Sequence, residues 1–476
     1  MAFELPRDLI ACLEHNARTW PDKPALIQHE DGRVASWSEF ANLTQFFALR
    51  LRSLGVVRGD RVATQLPLFP EHVALMYACF SLGAICAPLD LRLKDSELAR
   101  DLSAIEPKVL FHLGQTQVRD FRTAATAVRA QVKSIEHFVQ VTPNAKPDEL
   151  APGSISITEL MSKGKIIALK LKDVFTGALK KEREQIKRTD HALIIFTTGT
   201  TGAPKPALLT HENILVQNEI TRRGLDMTSD FRVLVNLPPS HVGCVTECLM
   251  TTVYAGGTAV LLRIFDVQKS LEAIAAHKVT VMGMIPTQFR MLWDHPDWPK
   301  TDLSSLRTVV YAGAAVDRPF LERVAKMAPH IGTGLGMTEN AGFATFTPKG
   351  IPLDELETEV GSAYDDLAKV SVRAPMQDDG RAGAELPDGE TGEICYHPPI
   401  VFPGYFKNPE ETRRAISTEG LLYTGDLGFF EQRGSRKALR LQGRRKFIVK
   451  QKGYNVFPDE VAAFLATHPK VAVAEV

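Results

Sequence analysis

Between Phe196 and His211 the chain reads FTTGTTGAPKPALLTH, with five threonines, two glycines and one lysine beside an apolar run. Hydroxyls and backbone N–H groups are the donors that hold a phosphate, and glycines at 199 and 202 let the backbone approach closely and adopt positive φ. Lys205 supplies a mobile positive charge. A Walker A loop needs Gly-Lys followed by Ser or Thr, whereas Lys205 stands between Pro204 and Pro206, which disfavours an ordinary P-loop ATPase. A polar surface loop is the plainer account of this composition. The flanks favour a phosphate cradle, because ALIIF before the loop reads as a buried strand and THENILVQNEITRR after it as a helix.

The elements that would position such a loop are visible on both sides of it. From Asp60 to Gly114 the chain alternates RVATQL, EHVALMYACFSLG, AICAPLD, KDSELARDLSAIE and KVLFHL, a strand–helix–strand–helix–strand series that demands a parallel sheet covered by helices. A second alternating set follows the loop: RVLVNLP, SLEAIAAHKV, TVMGMIP, SSLRTVVYAG and PFLERVAKMAP. Past about Gly361 the texture turns to short strands with Gly, Pro and Asp turns, which predicts a small all-β unit. No internal repeat is present.

The 476 residues exceed what one core usually supports, so at least two packed units are expected. Lys plus Arg and Asp plus Glu both number 56, which leaves no global field to gather nucleic acid or an anionic membrane. Cys12, Cys79, Cys86, Cys244, Cys248 and Cys395 form no CxxC pair and suit free thiols in a reducing, cytoplasmic setting. No apolar h-region or membrane-length apolar run occurs. The segment 163–188 is strongly basic. It reads first as a solvated surface helix or loop. Its alternative is a peripheral membrane or partner patch with Ile166, Ile167, Leu169, Leu171, Val174 and Phe175 as its apolar side.

The loop resembles the phosphate loop of the adenylate-forming superfamily, which includes acyl-CoA synthetases, peptide-synthetase adenylation domains and firefly-type luciferases. Further motifs follow in the family's order: PPSHVG (238–243), YAGAA (311–315), GLGMTEN (334–340), TGEICYHPPIVFPGYFKNPEET, YTGDLG (423–428) and GRRKFIVKQKGYNVFPDEVAAFLATHPKV. The resemblance covers almost the whole chain. It implies an α/β fold: a large N-terminal domain, residues 1–445, of two α/β layers plus a small distorted β-barrel at about 361–445. The start of a small α+β C-terminal domain would follow at 446–476.

The same resemblance implies that a carboxylate attacks the α-phosphorus of ATP, giving acyl-AMP and pyrophosphate, and that the acyl group then passes to a thiol. Two anions must be held together, which calls for fixed donors and a divalent cation. Thr197, Thr198, Gly199, Thr200, Thr201 and Gly202 would wrap the β- and γ-phosphates, with Lys205 and Thr201 in catalytic roles. Glu339, with Thr201, would hold Mg²⁺, and Thr338 would donate to the α-phosphate. Leu335, Gly336 and Met337 would lie along the nucleotide, and Gly313, Ala314 and Ala315 would wall adenine and the acyl pocket. Asp426 would accept the ribose hydroxyls and Arg444 would touch the same sugar. His241 would sit near the substrate carboxylate or the thiol tunnel.

Several positions depart from the family's pattern. Thr198 replaces a common Ser, Pro206 a common Gly, and Leu335 an aromatic that often stacks on adenine. Phe447 stands where many relatives carry a hinge Asp, which argues against an easy swing of the C-terminal domain, with Lys446 as a partial substitute. The chain stops at Val476 inside an apparent strand, so a C-terminally truncated fragment lacking the family's late Gly-Lys motif, and impaired in turnover, is expected. The expected activity is that of an acyl-CoA synthetase acting on a fatty or aryl acid with ATP, Mg²⁺ and coenzyme A. Alternatives are a ligase loading a carrier-protein thiol and a non-catalytic adenylate-binding module. No charged residue stands out around His241, Met284, Gly313 and Leu335, which favours an apolar acid. No nucleic-acid partner is expected, and a homodimer stays open.

Overall fold

The computed structural model describes residues 4–197, 204–445, 449–451, 454–456 and 465. Two large sheets carry the architecture. The first has eight strands in the order Gly404–Tyr405, Pro206–Thr210, His191–Phe196, Ile85–Pro88, Arg61–Gln65, Val109–His112, His137–Gln140 and Ser154–Ser156. The second has seven, in the order His330–Gly332, Thr308–Tyr311, Val281–Met284, Arg232–Val235, Thr258–Leu261, Pro24–Gln28 and Val34–Ser36. The two expected βαβ series supply the parallel hearts of these sheets.

Period-two alternation distributes the side chains. Val233 and Val235 join one core with Val62, Leu193 and Ile195 of the other sheet, whereas Leu234 turns to a second core with Val260, Met282 and Val309. Ala63 and Ile194 face a third core, with Leu110 and Phe138, on the far side of the eight-stranded sheet. The largest core is therefore shared between the two sheets. Helix Pro70–Ser81 is buried along its length; Pro70 opens it and Gly83, at φ +66°, follows its end.

The β-rich part is a four-stranded antiparallel half-barrel, Val370–Arg373, Gly392–Tyr396, Leu422–Arg433 and Arg436–Arg444. A short antiparallel pair, Val449–Gln451 with Tyr454–Val456, comes after it. Phe447 and the terminal segment 466–476 lie outside the described residues. The basic segment forms two helices, Lys163–Thr176 and Ala178–Glu184. No helix among the described residues is long and apolar enough to cross a membrane, and the six cysteines are unpaired.

One local expectation is corrected. The Gly/Thr loop does not run from a strand into a helix; Pro206–Thr210 is itself a strand, paired antiparallel with His191–Phe196. The loop is thus the tip of a hairpin. Ala207, Leu208 and Leu209 are apolar enough to continue the sheet, and helix His211–Leu225 begins only beyond them, with its first turn closed by a Thr210–Asn213 capping box. Its dipole does not point at the loop.

Candidate active site

Strands Arg232–Val235, Thr308–Tyr311 and His330–Gly332 are parallel members of one sheet, and each releases a motif segment at its C-terminal end. These are Pro238–Gly243, Gly313–Ala315 and Gly334–Asn340. Carboxyl ends of parallel strands are where open α/β sheets build ligand sites, because the loops there diverge and leave a crevice. Gly313, Ala314 and Ala315 are exposed on this rim. Leu335 is 9% exposed and belongs to the shared core.

Gly336–Met337 pairs with Gly342–Phe343 to make a tight hairpin whose tip is the single turn Thr338–Asn340. A Cβ on Gly336 would lie 1.9 Å from the Gly342 carbonyl oxygen, so only glycine closes this pair. The Asn340 side chain ties the tip, accepting from the Met337 N–H at 2.8 Å and donating to the Gly342 carbonyl at 2.6 Å. Thr338 is left half-buried and Glu339 buried.

Glu339 receives the Tyr405 hydroxyl at 2.6 Å on Oε1. Burial pushes its carboxyl above the usual range; the Tyr405 hydrogen bond and the charges of Lys205 and Arg444 work against that rise. Tyr405 also lies under Lys205, whose Nζ is 5.0 Å from the ring centroid. It reaches both because Gly404–Tyr405 is the edge strand beside Pro206–Thr210, with Tyr405 opposite Ala207. Lys205 is less free than expected, since its ammonium pairs with Glu411 on helix Pro409–Ala415. That contact holds the Glu411 carboxyl below its ordinary range.

At the base of the loop, the Thr197 N–H donates to the Lys205 carbonyl at 2.9 Å, and the Lys205 N–H to Thr197 Oγ1 at 3.3 Å. Thr198, Gly199, Thr200, Thr201 and Gly202 lie outside the described residues. Asp426 and Arg444 stand opposite each other on paired strands, with Nε 3.0 Å from Oδ1. Beside them Glu393 accepts from the Gly425 N–H at 2.9 Å and from Arg445 at 2.8 Å. Arg444, on the half-barrel, is the weakest of the contributions that oppose the rise of the Glu339 carboxyl.

His241 lies two residues before a π-helical run, Gly243–Met250, an irregular geometry that often marks functional sites. Burial lowers its ring pKa, with Asp90 opposing and Arg92 adding to the shift. Both neighbours follow strand Ile85–Pro88, so His241 faces the other sheet across the seam. That shift favours the neutral ring.

Two functional candidates escaped the sequence reading. Tyr405 lies inside a quoted motif, GYFKNPEET, yet its partner Glu339 is 66 residues away and nothing local joins them. The second is Glu247, a charged residue that the motifs did not single out. It projects from the π-helical run against the Glu339 hairpin: a Cβ on Gly342, which sits at φ +126°, would meet its Cγ at 2.5 Å. Thr246 fastens the same two elements by donating to the Ala341 carbonyl at 2.6 Å. Glu247 is largely enclosed by protein, with some of its surface left accessible. Burial pushes its carboxyl up to about 7, and the Phe343 backbone amide offsets only part of that.

The donor set fits a cation carried on phosphate. Among the described residues no group of three or more His, Cys, Asp or Glu could hold a metal alone, and Mg²⁺ on a nucleotide asks for only one or two carboxylates. Glu339 is the carboxylate in place.

Residues 13–406 match the family described as AMP-binding enzyme. The chain is 27% identical over 471 residues to 4-coumarate–CoA ligase 1 of Solanum tuberosum, an alignment spanning 98% of this chain and 80% of the relative. Its fold matches that of the anthranilate CoA ligase AuaEII in complex with anthranoyl-AMP at a TM-score of 0.81, with 22% identity, 98% of this chain and 84% of that one covered. ATP-bound MatB from Rhodopseudomonas palustris gives a TM-score of 0.75 with 25% identity, covering 97% and 84%. Strand order, hairpin, half-barrel and family match agree: the chain belongs to the AMP-binding enzyme family.

Proposed function

We propose that the protein is an ATP-dependent acid–thiol ligase that converts an aryl or fatty carboxylic acid to acyl-AMP and pyrophosphate and then passes the acyl group to coenzyme A. The observation that carries this reading is the gathering of Glu339, Tyr405, Lys205 and Arg444 beside the strand ends that release the other motifs. Asp426, oriented by Arg444, accepts the ribose hydroxyls. Thr338 and the Gly/Thr loop donate to phosphate oxygens. Glu339 would hold the Mg²⁺ carried on the phosphates, which would supply charge neutralisation there. His241, neutral and turned to the seam, hydrogen-bonds the reacting carboxylate or thioester without adding charge.

Glu247 bears on the choice of acid. A buried carboxyl beside the Glu339 hairpin would be left unpaired by a plain hydrocarbon and satisfied by a hydroxyl or amino group on the acid. We therefore favour an aryl acid bearing a ring hydrogen-bond donor, in keeping with the likeness to 4-coumarate–CoA ligase.

The test is thermal denaturation with magnesium-ATP and with non-hydrolysable adenylates of acetate, dodecanoate, benzoate, cinnamate and 4-hydroxycinnamate. Saturation at about a hundred times the dissociation constant adds about 2.7 kcal/mol. The expected outcome is that the hydroxylated aryl adenylate stabilises most. Failure of ATP and of every adenylate to shift the transition would sink the reading.

A further inference from the structure

Helix Lys163–Thr176 has no use in the site above. None of its residues is fully buried. Its inner side rests on the body through Leu169, which packs on the main core, and through Lys170, whose Nζ lies 4.1 Å from the Phe46 ring centroid on helix Trp37–Ser53. The outer side carries Ile167, Leu171, Val174 and Phe175, spaced i, i+4, i+7, i+8, with exposures of 58, 56, 79 and 87%. Four of the 11 strongly exposed large hydrophobics among the described residues sit on this one face, whereas the others are scattered singly.

The charge around the stripe is as lopsided as its apolarity. Segment 163–188 holds nine Lys or Arg against three Asp or Glu, a local excess of six in a chain whose formal net charge is zero. Lys165 pairs with Glu159 at 2.6 Å, while Lys163 and Lys172 make no ion pair with the described residues. Asp173, the sole acid of the helix, is spent accepting from the Leu179 N–H at 2.9 Å. The platform is firmly mounted, because Arg183 of the next helix makes two 2.6 Å hydrogen bonds to buried Asp8.

We infer that helix Lys163–Thr176 is a docking face for an anionic phospholipid bilayer, with Ile167, Leu171, Val174 and Phe175 entering the interface and the flanking lysines meeting the headgroups. An outward apolar stripe edged by uncompensated lysines matches an interface that is apolar beneath and negative above. A soluble anion needs no apolar stripe. A second copy of this chain would set one lysine-rich edge against another. The inference stands apart from the ligase reading and requires no turnover.

The experiment is co-sedimentation of the full chain with vesicles of phosphatidylcholine alone and of equal parts phosphatidylcholine and phosphatidylglycerol. The mixed vesicles should bind the protein, those of phosphatidylcholine alone far less, and binding should fall with added salt. The pair Leu171→Glu and Phe175→Glu should weaken binding by about tenfold or more, and Lys163→Gln with Lys172→Gln by a smaller factor. An unchanged thermal transition verifies that these exposed sites leave the fold intact. Equal binding by wild type and the glutamate pair, or no binding to mixed vesicles, would overturn the inference. So would a concentration-dependent dimer abolished by the glutamate pair, which would assign the face to self-association.

Discussion

The Tyr405 hydroxyl is a donor to Glu339 in a place where burial already disfavours the charged carboxylate. Tyr405→Phe should raise the Glu339 pKa further, so the acid limb of the adenylation rate profile moves to higher pH while acyl-adenylate affinity changes little. Glu339→Gln, which removes the charge, should cost about a hundredfold or more in adenylation. Pyrophosphate release measured across pH distinguishes the two. Glu247 offers a second titration, with a sign that can be worked out. Its folded pKa of about 7 lies above the ordinary glutamate value, so the folded state binds a proton more tightly than the unfolded chain. Stability from this group is full below about pH 4.3 and is lost as pH rises through 7, by about 3–4 kcal/mol at most. Urea titrations at pH 5 and 8 should show that loss in the wild type and a smaller one in Glu247→Gln. Neither residue's role was legible in the sequence. Glu339 and Asp426 were named from motif order alone, whereas Tyr405 and Glu247 meet their partners only when a sheet edge and a π-helical run carry them to the same hairpin.

At the scale of elements, periodicity revealed what it controls. The βαβ series appeared because strands buried on both faces and helices closed by glycine leave marks a few residues long, as RVATQL and EHVALMYACFSLG do. The strand Pro206–Thr210 left no such mark: five residues with a proline at their head read as the run-in to a helix, and only pairing with His191–Phe196 makes them a strand. Long-range ion pairs were equally silent. Asp8 caps helix Leu9–Thr19 by accepting from the Ala11 N–H and also meets Arg183, 175 residues away. Burial would raise the Asp8 carboxyl, yet the Arg183 hydrogen bonds and charge prevail and hold it low. Asp8→Ala removes a cap and leaves the buried Arg183 guanidinium with only the partly exposed Glu14 as its ion-pair partner, and should destabilise the protein by about 2–4 kcal/mol in urea denaturation.

For the whole molecule, the site is a property of the seam. Glu339 comes from loops of the seven-stranded sheet, Tyr405 and Lys205 from the edge of the eight-stranded one, and Arg444 from the half-barrel. Magnesium-ATP should therefore slow amide hydrogen exchange together in 206–210, 334–343, 404–405 and 424–428. Protection confined to one sheet would contradict a shared site. Acyl-adenylates are electrophiles that react with any available thiolate, and Cys248 directly follows Glu247 in the π-helical run beside the Glu339 hairpin. Burial, together with the Glu247 carboxylate, pushes its thiol up to about 12, so the sulfur stays protonated at physiological pH. A buried, protonated thiol is a poor acyl acceptor, so the intact mass is expected to stay unchanged after incubation with an acyl-adenylate in the absence of coenzyme A.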